Sequence, residues 1–103
     1  MKKLYLHSLP EDWEFIAKVF EALGNPVRQR ILLSFEKGEE LTIKQLADAF
    51  PIGRSTMIFH LKALEEASIL VRRRRGRDVW YRIDTTFLIP ALQRVLNYAG
   101  NEV

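Results

Sequence analysis

Residues 42–83 read TIKQLADAF PIG RSTMIFHLKALEEA SILVRRRR GRD VWYRI, and this stretch decides the fold. Thr42-x-x-Gln45 is a capping-box candidate: the threonine oxygen can accept from the backbone three residues on, while the glutamine reaches back to the cap. It opens a short helix with Ile43, Leu46 and Ala47 at inward spacing. Phe50-Pro51-Ile52-Gly53 reads as a turn, because proline and glycine both end helical runs. A second helix is expected from about Arg54 to Ala67, with Met57, Leu61 and Leu64 on one stripe. Two short helices joined by a tight glycine-containing turn make a helix-turn-helix unit, here about residues 42–67.

After Ala67 the period changes. Val79, Tyr81 and Ile83 alternate with Trp80 and Arg82, the pattern of a half-buried strand. Ile69-Leu70-Val71 leads through Arg72, Arg73, Arg74 and Arg75 to Gly76. Two strands around a glycine turn make a hairpin over about 69–84, with a tip dense in arginine: a wing.

Outward from this centre the chain reads as helices. Ser8-x-x-Glu11, with Pro10 in the first turn, is expected to cap a helix over about 9–23. Trp13, Ile16, Ala17, Phe20 and Leu23 form one apolar face of it, with Phe15 and Val19 as a second flank, and Gly24 stops it. Asn25-Pro26 opens another helix through about Lys37, with Val27, Ile31 and Phe35 inward. Asp84-Thr85-Thr86 caps a last helix over about 86–99, with Leu88, Leu92, Val95 and Ala99 along one side. The expected architecture is mainly α with a small β-hairpin. It is a winged helix-turn-helix of about five helices plus a two-stranded wing, in one domain over 1–103.

The bulk composition agrees. The 103 residues, 48% of them apolar, suffice for one modest core. Net charge is only +3, but residues 54–82 hold eight Lys/Arg against three Asp/Glu, while both flanks are slightly acidic. A basic segment between acidic ends suggests a polyanion-facing surface. With no cysteine there are no disulfides or thiolate sites, and no apolar run approaches the roughly 20 residues that span a bilayer. No signal-peptide pattern follows Lys2 and Lys3, so the expectation is a cytoplasmic protein with no membrane contact. There is no glycine-rich phosphate loop, no metal-ligand spacing and no nucleophile beside a base. The chain therefore reads as no enzyme, with no cofactor and no metal site.

At about 100° per residue, Ser55, Ile58, Phe59 and Lys62 fall opposite the inward stripe of the 54–67 helix. In such units that outer face enters the major groove of double-stranded DNA. Arg54, Ser55 and Thr56 sit at its N-terminal end, where hydrogen bonds to bases or phosphates are in reach, and Lys62 suits a phosphate. Ile58 or Phe59 could meet thymine methyl groups, or either could pack against a neighbour. His60, beside the core stripe, reads as structural. In the wing, Arg75 and Arg77 at the tip, with Arg73, are the candidates for phosphate or minor-groove contact. Successive arginines alternate in direction, so Arg73 or Arg74 could instead form intramolecular ion pairs.

The stretches Leu23–Leu32, Leu41–Ala47, Ser55–Ala67 and Arg75–Ile83 together resemble the ArsR family of bacterial and archaeal repressors, over roughly residues 15–85. The resemblance implies a dimer built by the first and last helices, with two recognition helices reading a palindromic operator. Three departures stand out. Ile58 and Phe59 occupy positions where the family commonly has small polar residues, and Ser68 stands where glycine usually follows the helix-ending alanine. The family's Cys-x-Cys and its last-helix histidine ligands are missing, so the chain resembles a metal-independent member with no effector visible in the sequence.

Self-association also follows from the helices themselves. Trp13, Phe15, Ile16 and Phe20 spread too widely round the first helix for one inward stripe. Leu92, Val95, Leu96 and Tyr98 crowd the last one, on a body too small to bury them all. The expected function is a homodimeric, sequence-specific DNA-binding transcriptional regulator, a repressor by occlusion. The alternative is a protein-interaction module docking through an exposed Ile58/Phe59 patch. Duplex RNA fits poorly, since its narrow major groove excludes a helix.

Overall fold

The computed structural model describes residues 2–101. Its elements run α1 (Glu11–Leu23), α2 (Pro26–Leu33), β1 (Leu41–Thr42), α3 (Ile43–Ala49), α4 (Arg54–Glu66), β2 (Leu70–Arg75), β3 (Asp78–Ile83) and α5 (Leu88–Asn101).

Local chemistry accounts for most of these boundaries. Asn25 Oδ1 accepts from the backbone N–H of Val27 at 2.9 Å and of Arg28 at 3.3 Å, starting α2. The Thr42/Gln45 box forms in full: Gln45 N–H donates to Thr42 Oγ1 at 3.0 Å, and Thr42 N–H to Gln45 Oε1 at 2.8 Å. The Ser8/Glu11 box does not form. Pro10 is itself the residue before α1, which leaves Ser8 two positions outside the helix. Glu11, Asp12 and Glu14 fill the first turn instead, where the helix dipole favours negative charge. α2 ends at Leu33 rather than near Lys37, where the Ser34 hydroxyl donates to the Arg30 carbonyl at 2.8 Å.

The inward face of α1 is Ile16, Val19 and Ala22, while Ala17 and Phe20 are exposed. The expected stripe is thus rotated, because apolar residues occupy more than half of this helix's circumference. The core joins Val19 and Ile31 to Leu46 of α3, Met57, Leu61 and Leu64 of α4, and Ile69 and Leu70, all essentially inaccessible to water. Burying each such side chain stabilises the fold by about 1.5–3 kcal/mol before ordering costs.

α4 ends in a full Schellman motif: Ser68 N–H donates to the Glu65 carbonyl at 2.9 Å and Ile69 N–H to the Leu64 carbonyl at 3.0 Å. The motif needs a left-handed residue, and Ser68 supplies it at φ 59°. The wing is three-stranded rather than two-stranded, in the order β1-β3-β2. β2 and β3 pair from Leu70↔Ile83 to Arg75↔Asp78, closed by the two-residue turn Gly76-Arg77 with Gly76 at φ 64°. β1 adds only Leu41↔Tyr81 and Thr42↔Trp80. α5 then returns across α1, placing Trp13 edge-on to Tyr98 at 5.4 Å and Phe15 edge-on to Phe87 at 6.3 Å. No described helix is long and apolar enough to cross a membrane.

Candidate nucleic-acid interface

α4 is held by its inner stripe of Met57, His60, Leu61 and Leu64, all buried, and is braced by α3. Arg54, Ser55, Thr56, Ile58, Phe59 and Lys62 are all exposed on the remaining circumference. Gly53 precedes the helix at φ 78°, and no side chain caps the first turn beside the exposed Arg54.

His60 is 7% exposed, and Arg28 Nε donates to its Nδ1 at 3.1 Å. That bond requires Nδ1 to be an acceptor, so the ring is neutral with its proton on Nε2. Burial, and then the Arg28 charge, push the imidazole below its ordinary pKa. The same guanidinium lies 5.7 Å from the Phe59 ring centre and reaches the Glu21 carbonyl at 3.5 Å. Arg28 therefore ties α1, α2 and α4 together. Sequence reasoning missed it, because its partner lies 32 positions away and leaves no local signal.

The wing arginines fall into two groups. Arg72 pairs with Glu65 of α4 at 3.0 Å. Arg73 makes a two-pronged pair with Glu40, Nε to Oε2 and Nη2 to Oε1, each at 2.6 Å. Arg75 stands 3.6 Å from the same carboxylate and 5.3 Å from the Trp80 ring centre. The hydrogen bond from Arg73 holds the Glu40 carboxyl below the usual carboxylate range. Among the described residues Arg74 and Arg77 make no ion pair, and both are exposed, Arg77 at the turn. In the free chain the Arg73 charge is thus turned onto Glu40, the intramolecular pairing that the alternation of the arginines left open for Arg73 or Arg74. The Arg72–Glu65 pair is a single contact at the surface, whereas the two-pronged Arg73–Glu40 pair is the stronger of the two and must be exchanged before Arg73 can take a phosphate.

The residues singled out for self-association divide similarly. Ile16, 4% exposed, belongs to the chain's own core. Trp13, Phe15, Leu92 and Val95 are half-buried, and Phe20, Leu96 and Tyr98 are exposed at 47%, 64% and 39%. Ile89 of α5, 59% exposed, extends this apolar surface and was not anticipated. Among the described residues no cluster of three His, Asp or Glu is placed to hold a metal ion.

A family model described as a helix-turn-helix domain matches residues 23–73. The transcriptional repressor SdpR of Bacillus subtilis is 31% identical over 80 residues, spanning 78% of this chain and 88% of the repressor. An ArsR-like transcriptional regulator from Rhodococcus superposes with a TM-score of 0.76 at 28% identity, over 87% of this chain and 81% of that one. A homodimeric winged helix-turn-helix DNA-binding domain from Mycobacterium bovis, a possible ArsR-family regulator, superposes at 0.68 with 24% identity, over 90% and 92%.

Proposed function

The chain belongs to the ArsR family of winged helix-turn-helix transcriptional regulators, and we propose that it is a homodimeric repressor that occludes a palindromic operator in the cytoplasm. The carrying observation is the exposed first turn of α4, Arg54, Ser55 and Thr56, with the exposed Lys62 two turns on, set beside an arginine-rich wing and fixed from behind by a buried stripe. In this reading α4 lies in the major groove with Arg54, Ser55 and Thr56 toward base edges, while Lys62 takes a phosphate. Arg75 and Arg77 of the wing follow the backbone or the minor groove, joined by Arg73 once it leaves Glu40.

Dimerisation through α1 and α5 has physical support. Phe20, Ile89, Leu96 and Tyr98, with the half-buried Trp13, Phe15, Leu92 and Val95, supply an apolar face for a second copy. The docking-module alternative needs Ile58 and Phe59 to form one patch, and successive helical residues point about 100° apart.

The test is binding to random duplex and to the gene's own upstream fragment across salt concentrations. Tight, salt-sensitive binding with preference for the upstream fragment is expected. Arg77→Ala should weaken both duplexes alike, whereas Ser55→Ala or Arg54→Ala should reduce the preference. No binding to either duplex at low salt would overturn the reading.

A further inference from the structure

Resting on that DNA-binding reading, we infer that Ile58 reads the 5-methyl group of thymine, making the operator half-site depend on T·A pairs beneath the middle of α4. The structure gives the two adjacent apolar residues different surroundings. Phe59 faces α2: the Arg28 guanidinium lies 5.7 Å from its ring centre and the His60 ring 5.6 Å away. It also borders the groove of about 500 Å³ between α4 and α1 that Lys18, Glu21 and Lys62 line. Phe59, although 64% exposed, therefore leans toward α2 and α1 rather than toward the wing.

Ile58 takes the other flank. It follows Arg54 by one turn and precedes Lys62 by one turn, so the three form one slowly turning row that starts at Arg54 and reaches the α4–α1 groove only at Lys62. Seven residues on, Glu65 is engaged by Arg72, so this flank is also the side nearest the wing. A side chain held between two phosphate-seeking cations and the wing faces the groove floor whenever those cations reach the backbone.

Isoleucine can neither donate nor accept a hydrogen bond. Against guanine, adenine or cytosine edges it strips water from polar groups and returns nothing. The one apolar feature of the major groove is the thymine methyl. Burying that methyl is worth about four-fold in affinity per half-site, and roughly fifteen-fold when both halves of a dimer make the contact.

The experiment uses a duplex selected by the protein from a random library, and the same duplex synthesised with deoxyuridine in place of thymidine. Uracil removes only the methyl and leaves base pairing and the groove acceptors intact. Wild type should bind the uracil duplex four- to fifteen-fold more weakly. Ile58→Ala should bind both forms equally, and Phe59→Ala should keep the discrimination. Equal wild-type binding to the two duplexes overturns the inference, as does discrimination that survives in Ile58→Ala or vanishes in Phe59→Ala. Failure to select any duplex overturns the DNA-binding reading itself, so the two failures are distinguishable. Ile58 is already 38% exposed, so its truncation leaves the core intact; thermal unfolding of the variant checks this.

Discussion

Replacing Ser68 with glycine should stabilise the protein, and the structure sets the size of the effect. Ser68 sits at φ 59°, the left-handed position of a complete Schellman motif. For a residue with a Cβ that conformation costs about 1–2 kcal/mol, because the Cβ crowds the following carbonyl. Among the described residues the Ser68 hydroxyl makes no hydrogen bond that would offset the cost. The position cannot relax to a right-handed conformation without breaking the bonds from Ser68 and Ile69, and Ile69 is fully buried. Glycine removes the crowding but loosens the unfolded chain, which takes back about 0.4–1 kcal/mol. The net gain should be about 0.5–1 kcal/mol, or about 3–6 °C in Tm for a chain of this length. Urea and thermal unfolding at one fixed protein concentration measure it, with fixed concentration removing any mass-action contribution. Ser68→Val should move the other way, since a β-branched residue tolerates this region worst. A Ser68→Gly variant no more stable than wild type would refute the strain argument, and DNA affinity should not change in either variant.

Three further outcomes are expected. Glu40→Gln should release Arg73 and Arg75, tightening DNA binding and steepening the plot of log affinity against log salt by about 0.9 per added phosphate contact; an unchanged slope would show that these arginines stay off the backbone. For pH, His60 has its pKa depressed in the folded state, so stability should be flat above its ordinary value of 6.5 and decline as pH falls below it. Glu40 and Asp84, both held below their ordinary carboxylate values, act only in more acid solution, so a urea midpoint that falls equally in His60→Gln between pH 7.5 and 5.5 would assign the decline elsewhere. Leu96→Glu, placed on the exposed face of α5, should shift the sedimentation-equilibrium mass from dimer to monomer and weaken operator binding; a mass unchanged by Leu96→Glu would move the interface off this face.

The parts legible in the sequence are those with short-range causes. Asn25-Pro26, the Thr42/Gln45 pair and the Gly76 turn carry their partners within a few residues, and the structure forms each of them. The inner stripe of α4 was readable because only one of its faces is apolar at helical spacing. α1 was misread in rotation because Trp13, Phe15, Ile16, Val19 and Phe20 offer several apolar faces, and only tertiary packing selects Ile16, Val19 and Ala22. β1 had no signal at all: two residues have no period, and their partners Trp80 and Tyr81 lie far along the chain. The same distance hid the partners that sort the site's cations. Glu40 reaches Arg73 across 33 positions, and His60 meets Arg28 across 32. Alternation within Arg72–Arg75 announced that some arginines would turn inward, but the acids that decide which ones lie outside the motif.

Thr42 caps α3 with its side chain and, one bond away, pairs its strand with Trp80. The support for α4 and the base of the wing are thus anchored in one residue, as two prongs of a single casting. Re-aiming either one would disturb a bond that Thr42 makes to the other. On the proposed reading, descendants of this chain that come to serve new operators would do so by exchanging side chains on an unchanged frame, with the spacing of α4 and the wing inherited as a constant.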